Sequence, residues 1–172
     1  MPVTPTSYEA QVSTALVNML AATAAFQLAT GAADATAARA FIVEDDAGLA
    51  REGKCVDGSA LDLTKCWAAV RVTECRTVDR AADTYGHEGD AQILLVVPPL
   101  ANETKTEYLR RGRNLGGGVR DQLTAQFGQT VNGAPTPLGA TITTPPPVIS
   151  DETGPLQGQL LIPLDISYRD IP

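Results

Sequence analysis

The feature that most constrains the fold lies near the end of the sequence, over residues 159–168, where every second residue is a large apolar or aromatic one. Successive side chains of a β-strand point to opposite faces, so the alternation predicts a strand with one face in the core. The predicted core face carries Leu160, Ile162, Leu164, Ile166 and Tyr168. Pro163 lies on the other face and lacks an amide hydrogen, which favours a sheet edge or an unpaired amide at that position.

The first helix is predicted over residues 7–30. Thr6-Ser7-Tyr8-Glu9 has the pattern of a capping box, in which Thr6 caps the amide of Glu9 and Glu9 reaches back. Apolar residues then recur at three- and four-residue spacing as far as Phe26, and Gly31 is a suitable stop.

A second helix is predicted to begin at Asn102 as its cap and to end at Gly128. Its apolar stripe recurs every four residues, at Leu115, Val119, Leu123 and Phe127. Residues 116–118 are three consecutive glycines, each of which costs about 1 kcal/mol relative to alanine in a helix. We therefore expect a kink or a close packing contact at these glycines.

Three further strands are predicted over residues 40–44, 63–76 and 91–97, with a strand tip at residues 141–144. Consecutive strands joined by loops indicate antiparallel pairing. The expected fold is a single α+β domain over residues 1–172, with a mainly antiparallel sheet of four to five strands and two helices packed on one face. Residues 1–5 form an N-terminal arm, and long loops are expected at residues 47–61, 77–90 and 128–158.

Charge and cysteine content narrow the class of protein. The net charge of −7 argues against a domain that grips nucleic acid, although it suits a surface past which DNA slides. Three cysteines give no disulfide framework, so we expect folding in a reducing cytoplasm. The apolar stretch at residues 10–33 is too polar for a membrane span, and no basic segment precedes it as in a secretory signal.

Two patterns suggest ligand sites, and each has a simpler explanation. Gly112 and the glycines at 116–118 lack the Gly-Lys-Ser/Thr of a phosphate loop, which favours close helix packing. Cys55, Cys66, Cys75 and His87 are separated by long spacers, whereas structural zinc sites usually use two tight pairs. We expect no cofactor and no metal, and small buried or half-buried thiols instead.

No catalytic residue is expected either. His87 is the only histidine and lies in a Gly-flanked acidic segment, where a solvated loop histidine is the default interpretation. The acid pairs Asp45/Asp46 and Glu88/Asp90 fall in predicted turns, where carboxylates usually cap or are solvated. The chain is therefore predicted not to be an enzyme.

The basic residues of the second helix have two interpretations. They are either solvated and paired with Glu103 and Glu107, or they form a patch that meets acidic loops of a neighbouring subunit. With two residues at the end of the closing strand, the subunit-interface candidates are Arg110, Arg111, Arg113, Arg120, Tyr168 and Arg169.

The order of elements resembles that of tail-terminator and head-to-tail connector proteins of tailed bacteriophages. The resemblance is carried mainly by residues 38–44, 107–123 and 159–170, the last reading Gln-Leu-Leu-Ile-Pro-Leu-Asp-Ile-Ser-Tyr-Arg-Asp. It implies a structural virion subunit that forms a ring, commonly a hexamer, joining the tail tube to the neck. It also implies assembly in the host cytoplasm, a lumen through which DNA passes without specific binding, and no membrane association.

The chain is long for that family, which leaves its station open between terminator, neck and tail-completion protein. Two further readings of the residues stay open: a small enzyme of unknown class, and a monomeric adaptor domain.

Overall fold

The computed structural model describes residues 7–44, 53–80 and 84–169, and it confirms the α+β class. Asp45, Asp46, Thr6 and the predicted arm at residues 1–5 lie outside the described residues. The helices are α1 (Tyr8–Ala21), α2 (Ala24–Thr30), α3 (Ala35–Ala38) and α4 (Lys105–Thr124), with a 3-10 turn at Arg39–Phe41. The strands are β1 (Ile42–Glu44), β2 (Trp67–Arg80), β3 (Thr84–Val97), β4 (Thr130–Val131), β5 (Ala134–Pro135), β6 (Gly139–Thr143), β7 (Val148–Ile149) and β8 (Leu160–Arg169).

The main sheet has the order β1-β2-β3-β8-β6, and β7 also pairs with β8. All pairs are antiparallel except β1 with β2, which run parallel. The expectation of antiparallel pairing throughout is therefore wrong for β1, because the chain between β1 and β2 is long enough to return to the same end of the sheet. β4 and β5 form a separate small hairpin.

The alternation in the closing strand is confirmed. All five residues of its predicted apolar face are buried against the helices. The helices contribute Leu16 and Leu20 of α1 and Val119 and Leu123 of α4 to the same buried core. α1 packs on β2, and α4 packs on β8. One face of the sheet is therefore covered by helices, and the other carries the half-buried and exposed positions of β2, β3 and β8.

Strand β8 is internal, so the edge position considered for Pro163 is wrong. It pairs with β3 along its whole length, whereas β6 and β7 pair only with its two ends, Asp165–Arg169 and Leu160–Leu161. Pro163 lies opposite the gap between β6 and β7. A proline is tolerated there because the ladder on that side is interrupted.

The prediction of a loop at residues 77–90 is wrong. Residues 77–80 belong to β2 and residues 84–90 belong to β3, and the two strands pair as a long hairpin. Backbone pairing runs without a break from Cys75 opposite Gly89 to Arg80 opposite Thr84. The charged and glycine-rich composition suggested a turn, although charges can occupy the exposed face of a strand. The predicted loop at 128–158 likewise contains β4 to β7, and residues 53–61 form turns around a bridge between Lys54 and Ala60.

The helix starts and the length of the first helix also differ from expectation. Ser7, rather than Thr6, caps α1 by accepting a hydrogen bond from the amide of Ala10 at 3.2 Å. Thr104, rather than Asn102, caps α4 and forms a capping box with Glu107. The helix predicted over residues 7–30 is two helices in the structure. The helical conformation ends at Ala21 and begins again at Ala24.

No single helix among the described residues has the length and hydropathy of a membrane span. α1 and α2 reach that length only together, and they are bent by 71° relative to each other.

The glycines of α4 provide the predicted close packing contact. A Cβ at Gly112 would overlap the side chain of Leu160, and a Cβ at Gly116 would lie 2.8 Å from Cγ2 of Ile162. Gly117 has no heavy atom within 4 Å of the equivalent position. Gly112 and Gly116, one turn apart, therefore let the helix axis approach β8 directly, and the helix continues through all the glycines.

Alanine substitutions should separate the packing role of these glycines from helix propensity. Gly112→Ala is expected to lower the free energy of unfolding by about 1–3 kcal/mol, because Leu160 is fully buried and cannot move away freely. Gly117→Ala is the matched control and should raise it by up to about 1 kcal/mol, since alanine is the better helix former. Urea titration followed by circular dichroism measures both. Equal effects of the two substitutions would contradict the packing role.

Candidate subunit interface

The β2–β3 hairpin extends beyond the rest of the sheet. β8 reaches only as far as Glu88, which pairs with Arg169. Beyond that row, residues 77–80 and 84–87 pair only with each other among the described residues. Four residues per strand give this part, here called the ribbon, a length of roughly 13 Å. An isolated two-stranded ribbon is at best marginally stable in water, so its contacts at the base matter.

Tyr168 supports the base of the ribbon. It lies beside Gly89 in the row Cys75–Gly89–Tyr168, and its hydroxyl donates a hydrogen bond to the main-chain oxygen of Glu74 at 2.8 Å. A Cβ at Gly89 would lie 2.6 Å from that hydroxyl and would overlap the Glu74 carbonyl. The missing side chain on β3 thus lets one residue of β8 reach across to β2. Burial is the main cause that raises the pKa of Tyr168, so the phenol stays protonated and donates.

His87 gives the ribbon a second support. Its ring stacks on Tyr8 at the start of α1, with 3.3 Å between ring centroids, and only 8% of the residue is exposed. Nδ1 lies 3.5 Å from the hydroxyl oxygen of Thr77 on the opposite strand. The expected solvated loop histidine is therefore wrong. His87 is a packing residue that joins helix α1 to the ribbon.

Both flanks of the sheet carry strand edges without a partner in the part of the chain that the structure describes. On one flank, β1 covers only Ala68–Val70, which leaves the outer edge of β2 open from residue 71 onward. On the other flank, the outer edge of β6 is open. The two open edges lie on the same rows, because Gly139 is level with Arg169, Glu88 and Arg76 across the sheet. Open edges of this kind are templates for pairing with another chain.

Several charged side chains on the exposed face of the sheet are ion-paired or hydrogen-bonded to one another or to neutral donors. Arg76 binds Glu88 at 2.7 Å and Glu74 at 3.3 Å. Gln92 and Ser167 donate to carboxylates, at 2.7 Å to Asp165 and 2.6 Å to Asp90. Because Arg76 is held by two carboxylates, it offers little to a phosphate backbone.

The structure divides the six predicted interface residues. Arg111 binds Glu103 through two hydrogen bonds of 2.7 and 2.8 Å and donates to the carbonyl of Pro98 at 2.8 Å. This contact fixes the connection between β3 and α4, and it lowers the pKa of Glu103. Arg111 therefore has an internal role. Tyr168 is only 2% exposed, so its assignment as a contact residue is wrong.

The other four remain accessible. Arg110, Arg113 and Arg169 are exposed, and Arg120 is half-buried. Arg120 pairs with the neighbouring Asp121 at 2.8 Å. Arg110 and Arg113 have no hydrogen-bond or ion-pair partner among the described residues. The arginines of the second helix were expected to pair with Glu103 and Glu107. Among the described residues Glu103 binds Arg111, whereas Glu107 binds Thr104.

The cysteines do not converge. Within the described ranges, no three side chains of the His, Cys, Asp and Glu types are placed to hold a metal ion. Cys55 and Cys66 are buried thiols, and Cys75 is half-buried on β2. Burial raises the pKa of Cys66 to about 12. The prediction of small buried thiols is confirmed for Cys55 and Cys66.

A scan against protein-family models finds no match to this chain, and a search of curated proteins finds none either. Sequence reasoning missed the open edges of β2 and β6, because an edge is defined by which strands pair and not by a local pattern.

Cys66 should resist alkylation in the folded protein. The thiolate is the reactive form, and a pKa of about 12 leaves almost none of it at pH 8. Iodoacetamide treatment followed by peptide mass spectrometry should find Cys66 unmodified in buffer and fully modified in concentrated urea. Rapid modification of Cys66 in buffer would contradict its burial.

Removing the Tyr168 hydroxyl should loosen the hairpin base. Tyr168→Phe leaves the Glu74 carbonyl without this donor and is expected to cost about 0.5–1.5 kcal/mol of unfolding free energy. Hydrogen exchange should accelerate in the ribbon more than in α4. Thr141→Ala, at an exposed position of β6 with no side-chain hydrogen bond among the described residues, is the control and should leave ribbon exchange unchanged.

Proposed function

We propose that this protein is a structural subunit that assembles with copies of itself into a ring, and that its role is that of a phage tail-terminator or related head-to-tail connector protein. The observation that carries the proposal is the pair of open strand edges on opposite flanks, on the same rows of the sheet. The order of elements, which resembles that of tail-terminator and head-to-tail connector proteins, supports a role in this class.

Strand direction supports a head-to-tail contact. β2 and β8 run one way, and β3 and β6 run the other. The β6 edge of one copy is therefore antiparallel to the β2 edge of a second copy placed beside it in the same orientation. Pairing these edges extends the sheet from copy to copy with the ladder pattern it already has. A contact between two different surfaces of the same chain is heterologous, and it closes into a ring when the rotation between copies allows.

The ribbon supports the same proposal. It projects past the main sheet, and the main-chain pairing of its described residues is only with each other, so a surface of an adjacent subunit would stabilise it further. The net charge of −7 suits a ring that lets DNA pass without holding it, since binding of phosphates depends on free cations. In this role the chain acts by shape and contact, without catalysis.

The mass and shape of the purified protein test the proposal. Light scattering after size exclusion should give a multiple of the 18.0 kDa chain, with six copies expected from the family resemblance, and negative-stain microscopy should show rings. The same measurements with purified tail tubes cover a subunit that closes only on its tube. A monomer under both conditions overturns the proposal.

Shortening the ribbon should prevent assembly without unfolding the subunit. Replacing residues 79–85 by Asn-Gly keeps the Val78–Gly86 pair as the last row and supplies a two-residue hairpin turn. We expect a folded monomer with a nearly unchanged circular dichroism spectrum. Deleting residues 151–154, which are exposed and outside every strand, is the control and should leave assembly intact. Normal rings from the shortened variant would exclude a role for the ribbon.

A further inference from the structure

Two recesses of opposite charge lie on opposite flanks of the molecule. The acidic recess is a cavity of about 170 Å³ between α1 and the outer edge of β2. Glu9 and Glu44 supply its charge, and Ser13 donates a hydrogen bond to Glu44 at 2.8 Å. Glu9 is exposed and has no partner within the described residues. The floor of the acidic recess is formed by Val70 and Val72.

The basic recess is a groove of about 390 Å³ between α4 and the segment at residues 144–147. Arg113 and Arg120, about two helical turns apart, supply its charge, and Arg120 also pairs with Asp121 at 2.8 Å. Its floor contains Gly116 and Gly117, and the missing side chain of Gly117 leaves the helix backbone there open to close approach. Its far wall is the run Pro145-Pro146-Pro147, which has no amide hydrogens to donate.

The positions of the two recesses match the head-to-tail contact. Both lie on the helix-covered side of the sheet, one beside β2 and the other beside β6 and β8. They are also at nearly the same level. Glu44 pairs with Val70, which is level with Leu164, and Thr144 directly follows Thr143, which pairs with Asp165. When a second copy continues the sheet at the β6 edge, its acidic recess comes next to the basic groove of the first.

We propose that the partner of the basic groove is a second copy of this chain, in which Arg113 and Arg120 bind the recess formed by Glu9 and Glu44. This inference rests on the proposed self-assembly and assigns its specificity to four side chains. The open edges supply main-chain pairing that any extended strand could satisfy. The charge pairs fix which flank meets which, because like charges brought together on the wrong flank repel.

Charge reversal tests the assignment with two complementary variants. Arg113→Glu reverses one of the two positive charges of the groove, and Glu9→Lys reverses one of the two negative charges of the other recess. Both side chains are exposed and lack described partners, so each variant should fold normally. Each variant alone should assemble at least roughly tenfold more weakly than the unsubstituted protein, because every contact in its ring would lose one opposite-charge pair and bring two like charges together in its place. Arg110→Glu and Glu152→Lys are the matched controls, with the same charge changes at exposed positions outside both recesses.

Mixing the two variants provides the sharper result. In a ring where the two variants alternate, the groove with Arg113→Glu meets the recess with Glu9→Lys at one contact. At the next contact an unchanged groove meets an unchanged recess. Both contacts are complementary, so assembly should return to its original strength. Only rings with an even number of subunits can alternate in this way. The chain carrying both substitutions should also assemble on its own.

The outcomes separate this inference from the proposed function. Unimpaired assembly of Arg113→Glu and Glu9→Lys would overturn the charge-pair assignment while leaving ring formation standing. Equal loss in the Arg110→Glu and Glu152→Lys controls would show a general charge effect and would also overturn it. Failure of the mixture to assemble, when the unsubstituted protein does, would exclude pairing between these two recesses. Failure of the unsubstituted protein to assemble, with or without tubes, would remove both proposals.

Discussion

The close contact between α4 and β8 determines the arrangement of the rest of the molecule. Gly112 and Gly116 bring the helix backbone against Leu160 and Ile162, which lie in a strand at the middle of the sheet. With α4 fixed at this position, α1 packs over β2 and α2 packs against α4. The two flanks then differ in composition, because α1 lies above one open edge and α4 lies beside the other.

The periodic parts of the fold could be predicted from the sequence. The alternation at Leu160–Tyr168 and the four-residue spacing from Leu115 to Leu123 both report which side chains face the core, and both elements are present. The packing role of the α4 glycines was also predictable, since a helix that keeps its apolar period through three glycines needs a compensating contact. These predictions depend on local periodicity, which a sequence records directly.

Features that depend on distant residues could not be predicted in this way. The charged segment at residues 77–90 suggested a loop, because the strand pairing that holds Arg76 beside Glu88 is visible only once the hairpin is aligned. Glu9 and Glu44 come together from a helix and a strand, with no shared motif to connect them. Of the arginines, the sequence could not say that Arg111 would bind Glu103 internally whereas Arg113 would stay free.

The central position of β8 also has a consequence for synthesis of the chain on the ribosome. β1, β2 and β3 emerge first, but β3 lacks one hydrogen-bonding neighbour until residues 160–169 have been translated. During that interval α4 has no Leu160 or Ile162 to pack against, so the apolar face of the nascent sheet is covered only where α1 packs on β2. Long-range pairing of this kind slows folding and lengthens the time in which a partly made chain can aggregate or be bound by chaperones.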